Sequence, residues 1–186
     1  MTNRENLFIS QLEKLNDNPG AMATLRRSLA FKPGNYPRAF PYVEPYVEPY
    51  TSQSKITNEK IKEADRSALY TVAGLYAKYP ENDPQRTLAR NFGELALQRG
   101  NPGEPNKSIE KRFIALLEAD AENVHHYLRH AISLLAANDL PISYARLLID
   151  LVKWMNPYNS QESRDAIRRA WAKDFYRAGT TEVAKP

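Results

Sequence analysis

The sequence contains no cysteine in 186 residues. Disulfide scaffolds, thiolate metal sites, iron–sulfur clusters and thiol nucleophiles are therefore excluded, and the chemistry fits a reducing, cytoplasmic setting. Glycine is scarce, with seven residues mostly beside proline or asparagine. The sequence has no Walker A loop, no dinucleotide-binding glycine pattern and no Gly-x-Ser-x-Gly elbow. No apolar run approaches the roughly 20 residues of a membrane span. The N-terminal Met1-Thr2-Asn3-Arg4-Glu5-Asn6 leads into a charged amphipathic segment, not into the apolar stretch of a signal peptide. Alternating apolar and polar residues, the mark of a half-buried strand, are also missing.

What is present is a helical period. Apolar residues make up 42% of the chain, enough for a core, and charged residues 26%. The spacing predicts a first helix over 4–15, with Leu7, Phe8, Leu12 and Leu15 on one face. Asn18 is placed to cap a second helix, with Pro19 at its first position, where no N–H is needed. Residues 32–54 are rich in proline and aromatics and contain the tandem repeat Pro41-Tyr42-Val43-Glu44-Pro45-Tyr46-Val47-Glu48-Pro49-Tyr50. Its period of four is not the three-residue turn of polyproline II. Its prolines are expected to rule out a long regular helix or a central strand. An ordered connector is expected, its tyrosines packing on helices. A long helix over 58–79 and a shorter one within 86–98 follow.

Arg99-Gly100-Asn101-Pro102-Gly103-Glu104-Pro105 is the best candidate boundary. Beyond it, Ser108 is placed to cap a helix carrying Phe113, Ile114, Leu116 and Leu117. Three further amphipathic helices turn at 138–141 and 156–159, with Ser160 as the last cap. The chain is expected to be all-α, with two small helical subdomains. Residues 1–100 form the first, and 106–178 form the second as a four-helix bundle. Residues 179–186 are expected to form a flexible tail.

For chemistry, Glu118, Glu122, His126 and His130 recur every four residues and share a helix face, half of a metal site at most. The plainer reading is a solvated face of carboxylate–imidazole pairs, because no second cluster supplies further ligands. Acidic pairs such as Asp120 and Glu122 specify no reaction, so neither catalytic residues, nor a cofactor, nor a small-molecule substrate are assigned. Trp154 and Trp171 fall at apolar positions and read as core.

The bases are more suggestive. Net charge is only +4, from 26 bases and 22 acids, so distribution matters more than the total. Arg169, Lys173 and Arg177 repeat at i, i+4 and i+8, and Arg164 and Arg168 form an adjacent row. Such a row extends over about 12 Å of helix, enough to follow a phosphate backbone. Arg26 with Arg27, and Lys111 with Arg112, are further pairs. Guanidinium suits phosphate because its planar fork bonds two oxygens. A merely solvated surface is the alternative.

The order of motifs resembles the CasB family, the small subunit of the type I-E CRISPR surveillance complex Cascade. The likeness runs over about 20–176 and rests on Leu25-Arg26-Arg27, Tyr36-Pro37 to Pro41-Tyr42, Ala68-Leu69-Tyr70-Thr71-Val72-Ala73-Gly74-Leu75 and Asn91-Phe92-Gly93. Its most specific stretch is Ile109-Glu110-Lys111-Arg112-Phe113-Ile114-Ala115-Leu116-Leu117-Glu118-Ala119-Asp120. Tyr127-Leu128-Arg129, Ile142-Ser143-Tyr144-Ala145-Arg146-Leu147-Leu148 and Trp171-Ala172-Lys173-Asp174-Phe175-Tyr176 complete it.

The resemblance implies a non-enzymatic helical subunit, present in two copies beside the subunits that hold the CRISPR RNA. It implies partners among the other Cascade subunits, contact with target DNA strands through a basic surface, and no membrane. It implies nucleic-acid contacts at Arg26, Arg27, Arg112, Arg129 and Arg146. Lys111, Arg168, Arg169 and Lys173 join them on the strength of their rows. R-loop formation is nearly balanced energetically, so modest phosphate contacts suffice to tip it. The competing reading is a helical protein–protein adaptor without nucleic-acid binding.

Overall fold

The computed structural model describes residues 4–52 and 58–178. The segment after Ala178, expected to be a flexible tail, lies outside the described residues. Among those residues nine α-helices and one short 3-10 turn form the fold. They are α1 (Arg4–Glu13), α2 (Pro19–Ser28), α3 (Phe40–Ser52), α4 (Glu59–Lys78) and α5 (Leu88–Gln98). The others are α6 (Lys107–Glu118), α7 (Val124–Ala136), α8 (Tyr144–Met155) and α9 (Gln161–Tyr176). The only extended pairing among the described residues consists of isolated bridges, such as Asn82 with Ile142. No helix of the described residues is long and apolar enough to cross a membrane.

Helix starts follow cap chemistry. Asn18 accepts from the Ala21 N–H and Pro19 opens α2. Asn58 starts α4 by accepting from the Lys60 N–H, and Ser160 starts α9 by accepting from the Ser163 N–H. The start of α6 differs from the expectation. Asn106, not Ser108, is the cap, and its side chain accepts from both Ser108 and Ile109. The amide of Asn106 also donates to the Arg99 carbonyl at 3.0 Å, so one residue closes α5 and opens α6.

The second correction concerns α3, a 13-residue helix with Pro45 and Pro49 inside it. The four-residue repeat places Pro41, Pro45 and Pro49 on one exposed face. The carbonyls that lose their donors therefore face water. Val43 and Tyr50 point the other way and are buried. Phe40 meets Tyr70 edge-on at 6.1 Å, and Tyr46 meets Phe8 at 6.2 Å. Burial of this face and ring packing offset the two missing backbone bonds. The tyrosines pack on neighbouring helices, as expected of an ordered connector.

At the centre is α4, buried without interruption from Ala68 to Ala77. A helix apolar all round must be enclosed. It is packed by α2, α3, α7 and α8, while α5 packs on α6 and α9. Gly74 permits the close approach of α2, since a Cβ there would lie 2.7 Å from the Leu29 side chain. Trp154 and Trp171 lie in the core, ring centres 5.5 Å apart.

The turn at 99–105 is exposed over most of its length, and Gly103 takes φ +80°. One apolar cluster nevertheless contains residues from both sides of it. The Tyr144 hydroxyl donates to the Tyr79 carbonyl, and the Asn91 amide donates to the Pro141 carbonyl.

Candidate nucleic-acid interface

The described structure separates the candidate bases into those spent inside the molecule and those left to solvent. Arg27, Lys111, Arg112, Arg169 and Lys173 are exposed and form no hydrogen bond or ion pair among the described residues. Arg168 is the opposite case. Its guanidinium donates to Asp165 at 3.1 Å and to the Ala119 carbonyl at 3.4 Å, and it lies 5.3 Å from the Trp154 ring centre. It clamps α9 to the turn after α6. Arg164, in the same row, donates to the Asn156 carbonyl and is also half-buried.

Two candidates are intermediate. Arg26 uses Nε to bond the Ala77 carbonyl at 3.0 Å, joining α2 to the last turn of α4. That position also suits the negative end of a helix dipole. Arg129 donates from Nη1 to the Leu29 carbonyl at 3.3 Å, joining α7 to the end of α2. Each guanidinium has five N–H donors, so one tether leaves most of the fork free while fixing where it points.

These tethers bring separate sequence elements together. Arg26 and Arg27 sit in the last turn of α2, where Arg129 arrives from α7. Next to Arg129 on α7 is His130, which lines a groove with Arg112 of α6. Arg26, Arg27 and Arg129 therefore gather at the end of α2, and Arg112 lies across α7 from them, on the groove that His130 lines. Lys32, which no local pattern marks, joins the cluster at the end of α2. Its charge reaches His125, whose pKa is lowered by burial first, then by electrostatic interaction with His126 and Lys32, against a backbone hydrogen bond at Glu122 that raises it. Only the fold supplies this neighbour.

Arg146 lies elsewhere, on α8. It lines a cavity of about 230 Å³ with Asp150, Asp174, Trp171 and Thr87. Asp150 accepts from the Trp171 indole at 2.7 Å. Burial raises the Asp150 pKa, opposed by the Trp171 bond and by the Lys153 and Arg146 charges. This acidic neighbourhood is poor ground for a phosphate. Arg169 and Lys173 follow on the exposed side of α9.

The histidine row does not assemble a metal centre. His125 is buried and turned inward, while His126 and His130 are exposed. Among the described residues no group of three or more His, Cys, Asp or Glu is placed to hold an ion.

The family model of CRISPR-associated protein Cse2 matches residues 21–176. The CRISPR-associated protein Cse2 of Thermus thermophilus is 38% identical over 166 residues, covering 89% of this chain and 83% of its own. The crystal structure of CasB from Thermus thermophilus superposes with a TM-score of 0.70 at 38% identity, covering 92% of this chain and 97% of that one. M. ruber CasB gives 0.74 at 30% identity, covering 97% and 96%. A chain solved within a CRISPR RNA-guided surveillance complex shares the fold, with a TM-score of 0.70 at 22% identity, covering 94% and 92%. The all-helical architecture is thus that of the CasB proteins. The chain belongs to the Cse2 family of CRISPR-associated proteins.

Proposed function

We propose that this chain is a non-catalytic small subunit of a cytoplasmic CRISPR RNA-guided surveillance complex, and that it steadies nucleic-acid strands by their phosphates. The observation that carries the reading is the set of bases at the end of α2 and across α7, where Arg26 and Arg129 are tethered by backbone carbonyls while Arg27 and Arg112 are exposed without a hydrogen bond or ion pair among the described residues. Cations aimed at solvent and spaced over three helices suit an extended polyanion better than a small ligand. Phosphate contacts hold register without reading sequence, which suits a complex whose base pairing supplies specificity. The partners are the other subunits, CRISPR RNA, the target DNA strands of the R-loop and a second copy of this chain.

The test is reconstitution of the complex with this subunit, wild type or Arg27→Glu, followed by target-DNA binding across a salt series. The variant is expected to weaken binding for every target sequence and to flatten the slope of log K against log salt by about 1 or more. Unchanged affinity and slope would overturn the assignment of this surface. A purified subunit that joins no complex and retains no CRISPR RNA would overturn the wider reading.

A further inference from the structure

Between α6 and α7 runs a groove of about 360 Å³, with Phe92, Ala115, Ala131 and Leu134 as apolar lining and Arg112, Tyr127 and His130 as polar lining. A second cavity of about 260 Å³ adjoins it, lined by Asn123, His126, Tyr127 and His130. Tyr127 and His130 therefore wall both. Tyr127 is 40% exposed, so its ring face is open to a ligand at the mouth of both. Neither Tyr127 nor His130 has a hydrogen bond or ring partner among the described residues. Arg112 beside them is unpaired.

We propose that this groove holds one nucleobase, splayed out from a single strand and stacked against Tyr127 or His130, with Arg112 on its phosphate. The inference rests on the nucleic-acid reading above and adds a base-accepting subsite to it. The volume falls at the small end of ligand pockets, right for one flat ring system and part of its sugar. A helical peptide needs apolar anchors over several turns, whereas the apolar part here is short and bounded by a cation and two polar rings. The charge next to it points the same way. Arg112 stands in the lining itself, and Arg129 lies on the other flank of α7, so a strand held by both crosses the exposed face of His126 and His130. Stacking tolerates any base, because every base has a π-face. The subsite therefore adds affinity for unpaired strands without adding sequence preference.

The experiment is a methyl and amide NMR titration of the full chain with tetrathymidylate and with an abasic oligomer of the same charge. Methyl signals of Ala115, Ala131 and Leu134 are expected to shift with the thymidine strand and stay still with the abasic one. Tyr127→Ala and His130→Ala are expected to weaken the thymidine strand about fivefold or more and to leave the abasic strand unchanged. Tyr127→Phe should keep the wild-type affinity. Arg27→Glu should weaken both oligomers. If amides near Leu29 and Arg129 move while the groove methyls do not, the base subsite is overturned and the phosphate reading stands. Equal methyl shifts with both oligomers also overturn the subsite. No response to either oligomer overturns both readings. Groove signals that respond only to a partner subunit assign the groove to protein docking and overturn the proposal.

Discussion

Replacing Asp65 with asparagine should make the protein more stable, and the gain should depend on pH. Asp65 is fully buried on α4, and neither carboxylate oxygen has a hydrogen-bond partner. Its neighbours are Arg4, Glu5 and Tyr50. The guanidinium of Arg4 is committed elsewhere, to Glu5 at 2.9 Å, to the Tyr50 carbonyl at 3.2 Å and to the face of the Tyr50 ring at 4.1 Å. Tyr50 in turn donates its hydroxyl to Glu5 at 2.9 Å. Burial pushes the Asp65 pKa from 3.8 up to about 6; Arg4 opposes this and Glu5 adds to it.

The native state therefore keeps a proton that the unfolded chain releases near pH 4. The contribution of the protonated acid is full below pH 4 and is lost as pH rises through about 6. About two pKa units correspond to roughly 3 kcal/mol once both states are ionised. Asp65→Asn, which stays neutral, should gain about 3 kcal/mol over wild type at pH 7.5 and less than about 1 kcal/mol at pH 4. For a chain of this size that is a melting-temperature rise on the order of 6–12 °C at the higher pH. Urea unfolding of both proteins at the two pH values measures it. An equal difference at both pH values would refute the reasoning, as would an NMR titration of the Asp65 carboxyl with a midpoint near 4.

Four further outcomes follow from the packing. Gly93→Ala should lower stability in urea denaturation by about 1–3 kcal/mol, because its Cβ would lie 2.1 Å from the Phe175 carbonyl where α5 crosses α9. Arg168→Ala should cost about 1–2 kcal/mol through the lost bonds to Asp165 and Ala119 and the lost Trp154 contact. Lys173→Ala, at an exposed and unpaired position, should stay within about 0.5 kcal/mol of wild type in the same denaturation series. Calorimetry should show a single unfolding transition, since one apolar cluster spans the turn at 99–105. Two transitions there would instead mark the two subdomains that the sequence suggests.

Periodicity made most helices legible, because 3.6-residue spacing survives without tertiary information. Asn18 with Pro19 and Ser160 marked real helix starts for the same reason, since cap chemistry is local. The repeat at 41–50 was misread because a local rule met a tertiary exception. One proline per turn is the least harmful helical arrangement, as every freed carbonyl falls on the same wet face. The spacing that excluded polyproline II was thus itself close to a helical period. What tipped the balance was invisible locally. Arg66, 22 residues away on α4, donates to Glu44, as does the Tyr70 hydroxyl. Burial alone would raise the Glu44 pKa, but these hydrogen bonds and the Arg66 charge hold it below its ordinary value. A packed and ion-paired helix face outweighs the proline penalty only after α4 is in place.

The same distinction governs the candidate interface. A sequence shows where arginines recur but not what each guanidinium meets, and here that decides its role. Arg168 and Arg169 are adjacent in sequence, yet one clamps Trp154 and a backbone carbonyl while the other faces water. Arg26 and Arg129 are 103 positions apart, yet they meet at the end of α2, because Arg26 reaches from there to the Ala77 carbonyl at the end of α4 and Arg129 arrives on the Leu29 carbonyl, each left open at a helix terminus. Helix ends are where backbone acceptors lack internal partners, so they fix long cations in place at little conformational cost. A tethered arginine presents its remaining donors from a defined point, whereas Lys173 must be ordered by the ligand itself. On this argument the phosphate contacts with the greatest effect on affinity are the tethered pair and the residues they flank, Arg27 and Arg112. The regular row on α9, most conspicuous in the sequence, contributes mainly long-range charge. Salt should therefore weaken the effect of Arg169→Ala and Lys173→Ala more steeply than that of Arg26→Ala or Arg129→Ala, and parallel salt series on the four variants decide between these assignments.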